Sequence, residues 1–169
     1  MEYSFKQAQK ADALQIWEIL ARAIQRRKED GSNQWQDGYP NPSVIRSDIE
    51  RGIGHVLVDS NTIVGYCAIL INDEPEYTKL KGNWLTNGDF VVYHRVAISE
   101  KYLGQGLAKK MLGYVEDFAR QHNIHSVKAD TNFDNAGMLN IFSKLGYTYC
   151  GEVTFRGTPR KAFEKVLTD

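Results

Sequence analysis

The segment Leu103-Gly104-Gln105-Gly106-Leu107 limits what this chain can fold into more than any other. Residues 90–98 before it are rich in valine and aromatic side chains, which predicts a long central strand. After it, Leu107, Met111, Val115, Phe118 and Ala119 fall on one stripe of a helix. Glycines between a strand and a helix let the backbone approach a ligand closely and leave the unpaired N–H groups of the helix's first turn pointing at it, which suits phosphate. Lys101, Lys109 or Lys110 can add a point charge. Two other glycine loops are excluded. The dinucleotide fingerprint needs a third glycine where Lys109 stands, and the nucleoside-triphosphate loop needs Lys-Ser/Thr where the chain has Leu107-Ala108. A tight turn without a ligand stays open at this point.

The remaining pattern supplies the scaffold. Residues 3–6 alternate like a strand, and Ala13, Leu14, Trp17, Leu20, Ala21 and Ile24 mark the apolar stripe of a helix over 10–29 that ends at Gly31. Asn41-Pro42 reads as the N-cap and first residue of a second helix through Val44, Ile45, Ile49 and Glu50, closed by Gly52. Residues 54–59 and 62–71 predict a hairpin, and 73–87 a long loop. A strand over 124–129, a helix over 135–144 with Gly146 at its end, and strands over 147–155 and 160–167 complete the chain, the last two separated by Gly157-Thr158-Pro159. A hairpin followed by βα units predicts an α/β (α+β) fold with a mixed, mostly antiparallel central sheet and helices on both faces. With 169 residues and no internal linker, one domain over 1–169 is expected.

Composition removes several classes of function. Twenty-one basic residues balance 21 acidic ones without a run of five like charges, so neither nucleic acid nor an anionic membrane surface is an expected partner. No stretch approaches the apolar length of a membrane span, and the first six residues lack the apolar core of a leader, which points to the cytoplasm. Cys67 and Cys150 lie in separate predicted strands with no metal or redox spacing and read as small buried hydrophobes. His122 and His125 alone do not make a metal site, and no metal is expected.

The run from Val96 to Ala108, VAISEKYLGQGLA, resembles the acetyl-CoA signature of the GNAT superfamily of N-acetyltransferases. Asn135, followed by Ile141-Phe142-Ser143-Lys144-Leu145-Gly146-Tyr147, resembles that family's later block. The resemblance implies the GNAT fold, acetyl-CoA as cosubstrate, and transfer of its acetyl group to an amine that attacks the thioester directly. It places the pyrophosphate on backbone amides of Leu103, Gly104, Gln105, Gly106, Leu107 and Ala108, with Lys109 nearby, and the pantetheine arm along Val96, Ala97 and Ile98. Asn135 matches a position that contacts the pantetheine side, although it also suits a helix cap, and Phe142 belongs to the same cofactor-side block. An N–H of the strand, such as that of Ala97, would stabilise the oxyanion.

Proton transfer and the acceptor are less defined. His94 is the local candidate base, although Val92, His94, Val96 and Ile98 share one face of an ideal strand and a packed histidine fits equally. Phe142 occupies the position where the family often has a tyrosine acid, leaving Tyr147 or a water for that role. Trp35 and Tyr39, large aromatics in a polar, turn-rich segment, are expected to wall the acceptor pocket, with Asp37, Asp48, Asp73 and Glu74 offering a negative field to an amine. A small primary amine is the expected acceptor. The alternatives are a protein N-acetyltransferase and a non-catalytic acyl-CoA-binding module. The resemblance also implies a homodimer, and the last strand could either pair across subunits or be covered internally.

Overall fold

A computed structural model describes residues 2–168. Its strands are β1 Tyr3–Gln7, β2 Gly54–Asp59, β3 Thr62–Ile71, β4 Lys81–Gly82, β5 Val91–Ile98, β6 Ser126–Thr131, β7 Thr148–Phe155 and β8 Thr158–Val166. The helices are α1 Ala13–Glu29, α2 Pro42–Glu50, α3 Leu107–Gln121 and α4 Ala136–Leu145. The strands hydrogen-bond in the order β1-β2-β3-β5-β6-β8-β7-β4. The β1/β2, β2/β3, β4/β7, β6/β8 and β7/β8 pairs are antiparallel, whereas β5/β6 is parallel. This is the expected mixed, mostly antiparallel sheet flanked by four helices. The terminal residues of the expected 1–169 domain, 1 and 169, lie outside the described residues.

All four helices stop in the same way. A left-handed residue (Gly31, Gly52, Asn123 or Gly146) and its successor turn their N–H groups back onto carbonyls of the last turn. After α4, for example, Gly146 N–H bonds the Ser143 carbonyl at 3.2 Å and Tyr147 N–H bonds that of Phe142 at 2.9 Å. Asn123 is the one cap the sequence reading missed. Because Ile124 N–H closes α3 onto the Ala119 carbonyl, β6 starts at Ser126 and not at 124.

Three further expectations change. The last hairpin turns at Arg156-Gly157, whose φ values of 48° and 78° suit a two-residue turn, so Thr158 and Pro159 already belong to β8. The predicted loop over 73–87 contains a 3-10 turn, Pro75–Lys79, and β4. The buried stripe of α1 is Ile16, Ile19, Leu20 and Ala23, whereas Leu14 is 69% exposed. Both stripes obey helical spacing, and the one that meets buried partners is selected.

The chain forms two compact units. One comprises the residues up to Ile69 with His94–Tyr114, and the other Leu70–Tyr93 with the residues from Val115 onward. In the first, the α1 stripe packs with Ile45, Val56, Val58, Tyr66, Trp35 and Ala97. The second contains an aromatic cluster, with Phe142 4.7 Å from Phe163 and 5.1 Å from Tyr147 between ring centroids. Here Glu164 is fully buried yet satisfied: its carboxylate accepts from Leu85 N–H, Thr86 Oγ1 and Ser126 Oγ at 2.7, 2.5 and 2.6 Å. Those bonds, with Trp84 Nε1 on the Tyr77 carbonyl at 2.9 Å and Tyr77 Oη on Asp130 at 2.6 Å, hold the 73–87 segment in place. Cys67 and Cys150 are free, buried thiols.

Candidate active site

The glycine turn belongs to the first unit. Gly104 and Gly106 have φ of 79° and 74°, a region that glycine enters without the steric cost a Cβ imposes. Nothing lies within 4 Å of a Cβ built on either residue, so conformation and not crowding calls for glycine here. Gly104, Gln105 and Gly106 are exposed, while Leu107 is buried and anchors the start of α3. The first helical bond at this end runs from Lys110 N–H to the Gly106 carbonyl at 3.0 Å. Helix geometry therefore leaves Leu107, Ala108 and Lys109 with N–H groups that have no partner inside the helix. Open donors, a helix dipole and a solvent-facing turn fit a phosphate. Lys109 is exposed, whereas Lys110 Nζ sits 5.4 Å above the Tyr3 ring.

The strand leading to this turn is not regular. Arg95 has φ of 58° within β5, and the alternation of buried and open residues fails around it. Val91, Val92 and Tyr93 are all buried, His94 and Arg95 are half-buried, and Val96, Ala97 and Ile98 are buried again. The expected common face of Val92, His94, Val96 and Ile98 is thus lost, because a left-handed residue rotates the chain and resets the two-residue period. The Ile98 carbonyl accepts from Arg26 Nη2 at 3.2 Å, and Ser99 N–H donates to the Val64 carbonyl at 2.8 Å.

A buried charge network, missed at the sequence level, holds Arg95. Its Nε and Nη2 donate to the two oxygens of Asp48 at 2.9 and 2.7 Å, and Nη1 donates to Tyr39 Oη at 2.5 Å. Tyr66 Oη also donates to Asp48, at 2.6 Å, and burial pushes that phenol far above its ordinary range. The Arg95 and Asp48 side chains are 9% and 3% exposed. Asp48 thus supplies no free negative field to an amine, because Arg95 neutralises it. Tyr39 is half-buried. Trp35 is 7% exposed within the first unit's core, with the Arg27 guanidinium 5.6 Å from its ring centroid. The signal that was available in the sequence was an arginine in an apolar strand, which demands a buried acid.

The later block lies in the second unit. Asn135 caps α4, its Oδ1 accepting from Met138 N–H at 3.1 Å, and it is itself buried. Phe142 is 1% exposed and closed off by Tyr147 and Phe163, a place where a phenol would need a partner. The Leu145-Gly146-Tyr147 sequence has a local cause: Gly146 takes the left-handed cap and brings Tyr147 back over Phe142. Tyr93 Oη donates to Tyr147 Oη at 3.1 Å. Burial drives the Tyr147 pKa well above 10, the Tyr93 hydrogen bond opposing, so its own proton is retained.

Among the described residues, no group of three His, Cys, Asp or Glu side chains could hold a metal, and no helix is long and apolar enough to cross a membrane.

Comparison with known proteins bears directly on the turn. The model of the family described as "Acetyltransferase (GNAT) family" matches residues 15–147. A GNAT-family acetyltransferase from Streptococcus agalactiae is 32% identical, with a TM-score of 0.91 over 99% of this chain and 96% of its own. The uncharacterized N-acetyltransferase YesJ of Bacillus subtilis is 25% identical over 145 residues, 83% of this chain and 78% of YesJ. The fold is shared with yncA of Salmonella typhimurium, whose structure was solved with its cofactor acetyl-CoA, at 18% identity and a TM-score of 0.70 over 99% and 95% of the two chains. The glycine turn and the Asn135–Tyr147 block both fall inside the matched span, and the chain belongs to the GNAT family of acetyltransferases.

Proposed function

We propose that this acetyltransferase moves the acetyl group of acetyl-CoA, its cosubstrate, to the primary amine of a small molecule by direct attack in a ternary complex. The observation that carries the donor half is the glycine turn: two left-handed glycines lead into the first turn of α3, whose leading N–H groups have no partner inside the helix. Acetyl-CoA supplies an activated thioester. The backbone donors of Leu103 to Lys109 bind its pyrophosphate, with exposed Lys109 adding charge. The stretch Val96–Ile98, after the left-handed Arg95, is assigned the backbone groups that meet the pantetheine amides, and Ala97 N–H is the assigned oxyanion donor. Asn135 is assigned a contact to the pantetheine in addition to its cap, and Phe142 a packing role beneath Tyr147.

His94, next to the left-handed Arg95, is assigned the removal of the proton from the attacking amine. Tyr147 is assigned the leaving thiolate. Because Tyr93 donates to its oxygen, the Tyr147 proton is free to point elsewhere, and the raised pKa makes it a hydrogen-bond donor that keeps its proton. Tyr39 is assigned to the acceptor side, with Trp35, buried in the core against which Tyr39 packs, supporting its loop. The two free, buried thiols suit a reducing compartment such as the cytoplasm. Both edges of β8 are paired, to β6 and β7, so the implied homodimer would use another surface; β1 and β4 are the edge strands.

Initial rates with both substrates varied test the ternary complex: intersecting double-reciprocal lines are expected, and parallel lines would mean a covalent acetyl-enzyme. In His94→Ala, kcat/KM should fall by about 10²-fold or more. A near-normal rate would remove His94 from the mechanism.

A further inference from the structure

Arg95 combines two costs that a strand residue ordinarily avoids. It holds a left-handed backbone, which is uphill for a residue with a Cβ. It also carries a charge into a site where its side chain is 9% exposed. Both persist because the side chain is fixed from three directions: α2 through Asp48, β3 through Tyr66 on the same carboxylate, and the segment 32–40 through Tyr39. Every bond lies within the first unit. Asp48's two oxygens take two of the guanidinium's nitrogens. The third nitrogen reaches Tyr39 Oη at 2.5 Å, and the guanidinium carbon lies 6.0 Å from the centroid of the Tyr39 ring.

We propose that Arg95 is a positioning residue that locks the segment carrying Tyr39 to the left-handed kink of β5, so that the acceptor loop and the strand next to the thioester keep one fixed geometry. This rests on the reading that Tyr39 borders the acceptor. The strand's backbone donors and the acceptor loop then move as one body, and loosening the link misplaces the amine relative to the carbonyl it attacks. A misplacement on the order of 1 Å costs about 10²-fold in rate.

Three variants test it: Tyr39→Phe, which removes one hydroxyl; Arg95→Lys, which loses the planar fork; and the neutral pair Asp48→Asn with Arg95→Met, which keeps volume without a buried charge. Steady-state kinetics, direct acetyl-CoA binding, thermal unfolding and amide hydrogen exchange are measured on each. Tyr39→Phe should lower kcat/KM for the amine about 10-fold, and Arg95→Lys about 10²-fold, with acetyl-CoA Kd within about threefold of wild type. Exchange should rise in residues 33–39 and 95–98 but not in α3. The neutral pair should recover melting temperature while its rate stays low. Recovery of the rate with the melting temperature, or unchanged kinetics and exchange in Tyr39→Phe and Arg95→Lys, would overturn the proposal. If the wild-type protein acetylates no small amine, the acceptor reading falls, and the exchange data still decide whether Arg95 holds the loop.

Discussion

At the scale of single residues, Gly106 is glycine for its backbone angle, and the effect of replacing it is therefore specific. Alanine meets no atom there but must hold φ near 74°, whereas asparagine tolerates that region better. We expect Gly106→Ala to weaken acetyl-CoA about 10-fold by calorimetry, as a strain of about 1–2 kcal/mol rotates the donors away, with Gly106→Asn closer to wild type. Equal binding by all three would remove the turn from the phosphate site. Phe142→Tyr should lower stability by about 1–3 kcal/mol in denaturant unfolding without raising kcat, since the new hydroxyl enters a closed aromatic cluster. A gain in kcat would show that the ring edge reaches the thioester. The glycine turn was legible because its signal is local: two glycines between a strand and a helix. Arg95 was not, because Asp48 lies 47 positions away in the chain, and no spacing rule announces a partner at that separation.

At the scale of elements, β2 carries a pH dependence. His55 stacks on Phe5 of β1 with ring centroids 5.5 Å apart, and burial pulls its pKa below 6.5 despite the Ile53 carbonyl beside Nδ1. The unfolded chain then takes up the proton first, so this contribution to stability is complete above pH 6.5 and is lost as pH falls from there toward the folded pKa. His55→Gln should flatten that limb of the melting-temperature profile; an unchanged limb would assign it to other groups. Glu164 secures the 73–87 segment, and Glu164→Ala leaves buried donors on Leu85, Thr86 and Ser126 unpaired. A loss of about 3 kcal/mol or more in denaturant unfolding is expected, whereas a loss below 1 kcal/mol would mean water replaces the carboxylate. Helix ends at Gly31, Gly52 and Gly146 could be read in advance because glycine marks the left-handed cap. The face of α1 could not, since Leu14-Trp17-Ala21 and Ile16-Ile19-Leu20-Ala23 are both helical stripes and only the packing partners choose between them.

At the scale of the whole molecule, the mixed character of the sheet followed from its connections: a hairpin first, then βα units, then a closing hairpin. The position of β8 between β6 and β7 did not, because pairing across long sequence separation leaves no local mark. The same asymmetry runs through function. The backbone groups assigned to acetyl-CoA are placed by a short motif, whereas the Tyr39, Asp48 and Arg95 side chains are gathered from distant segments. The most direct measurement is acetyl transfer itself: purified protein incubated with acetyl-CoA and separate panels of small primary amines and of peptides, with thiol release and product mass followed together. The account predicts an N-acetylated small amine formed in step with free coenzyme A. Turnover confined to peptides, or acetyl-CoA binding without transfer to any small amine, would contradict it.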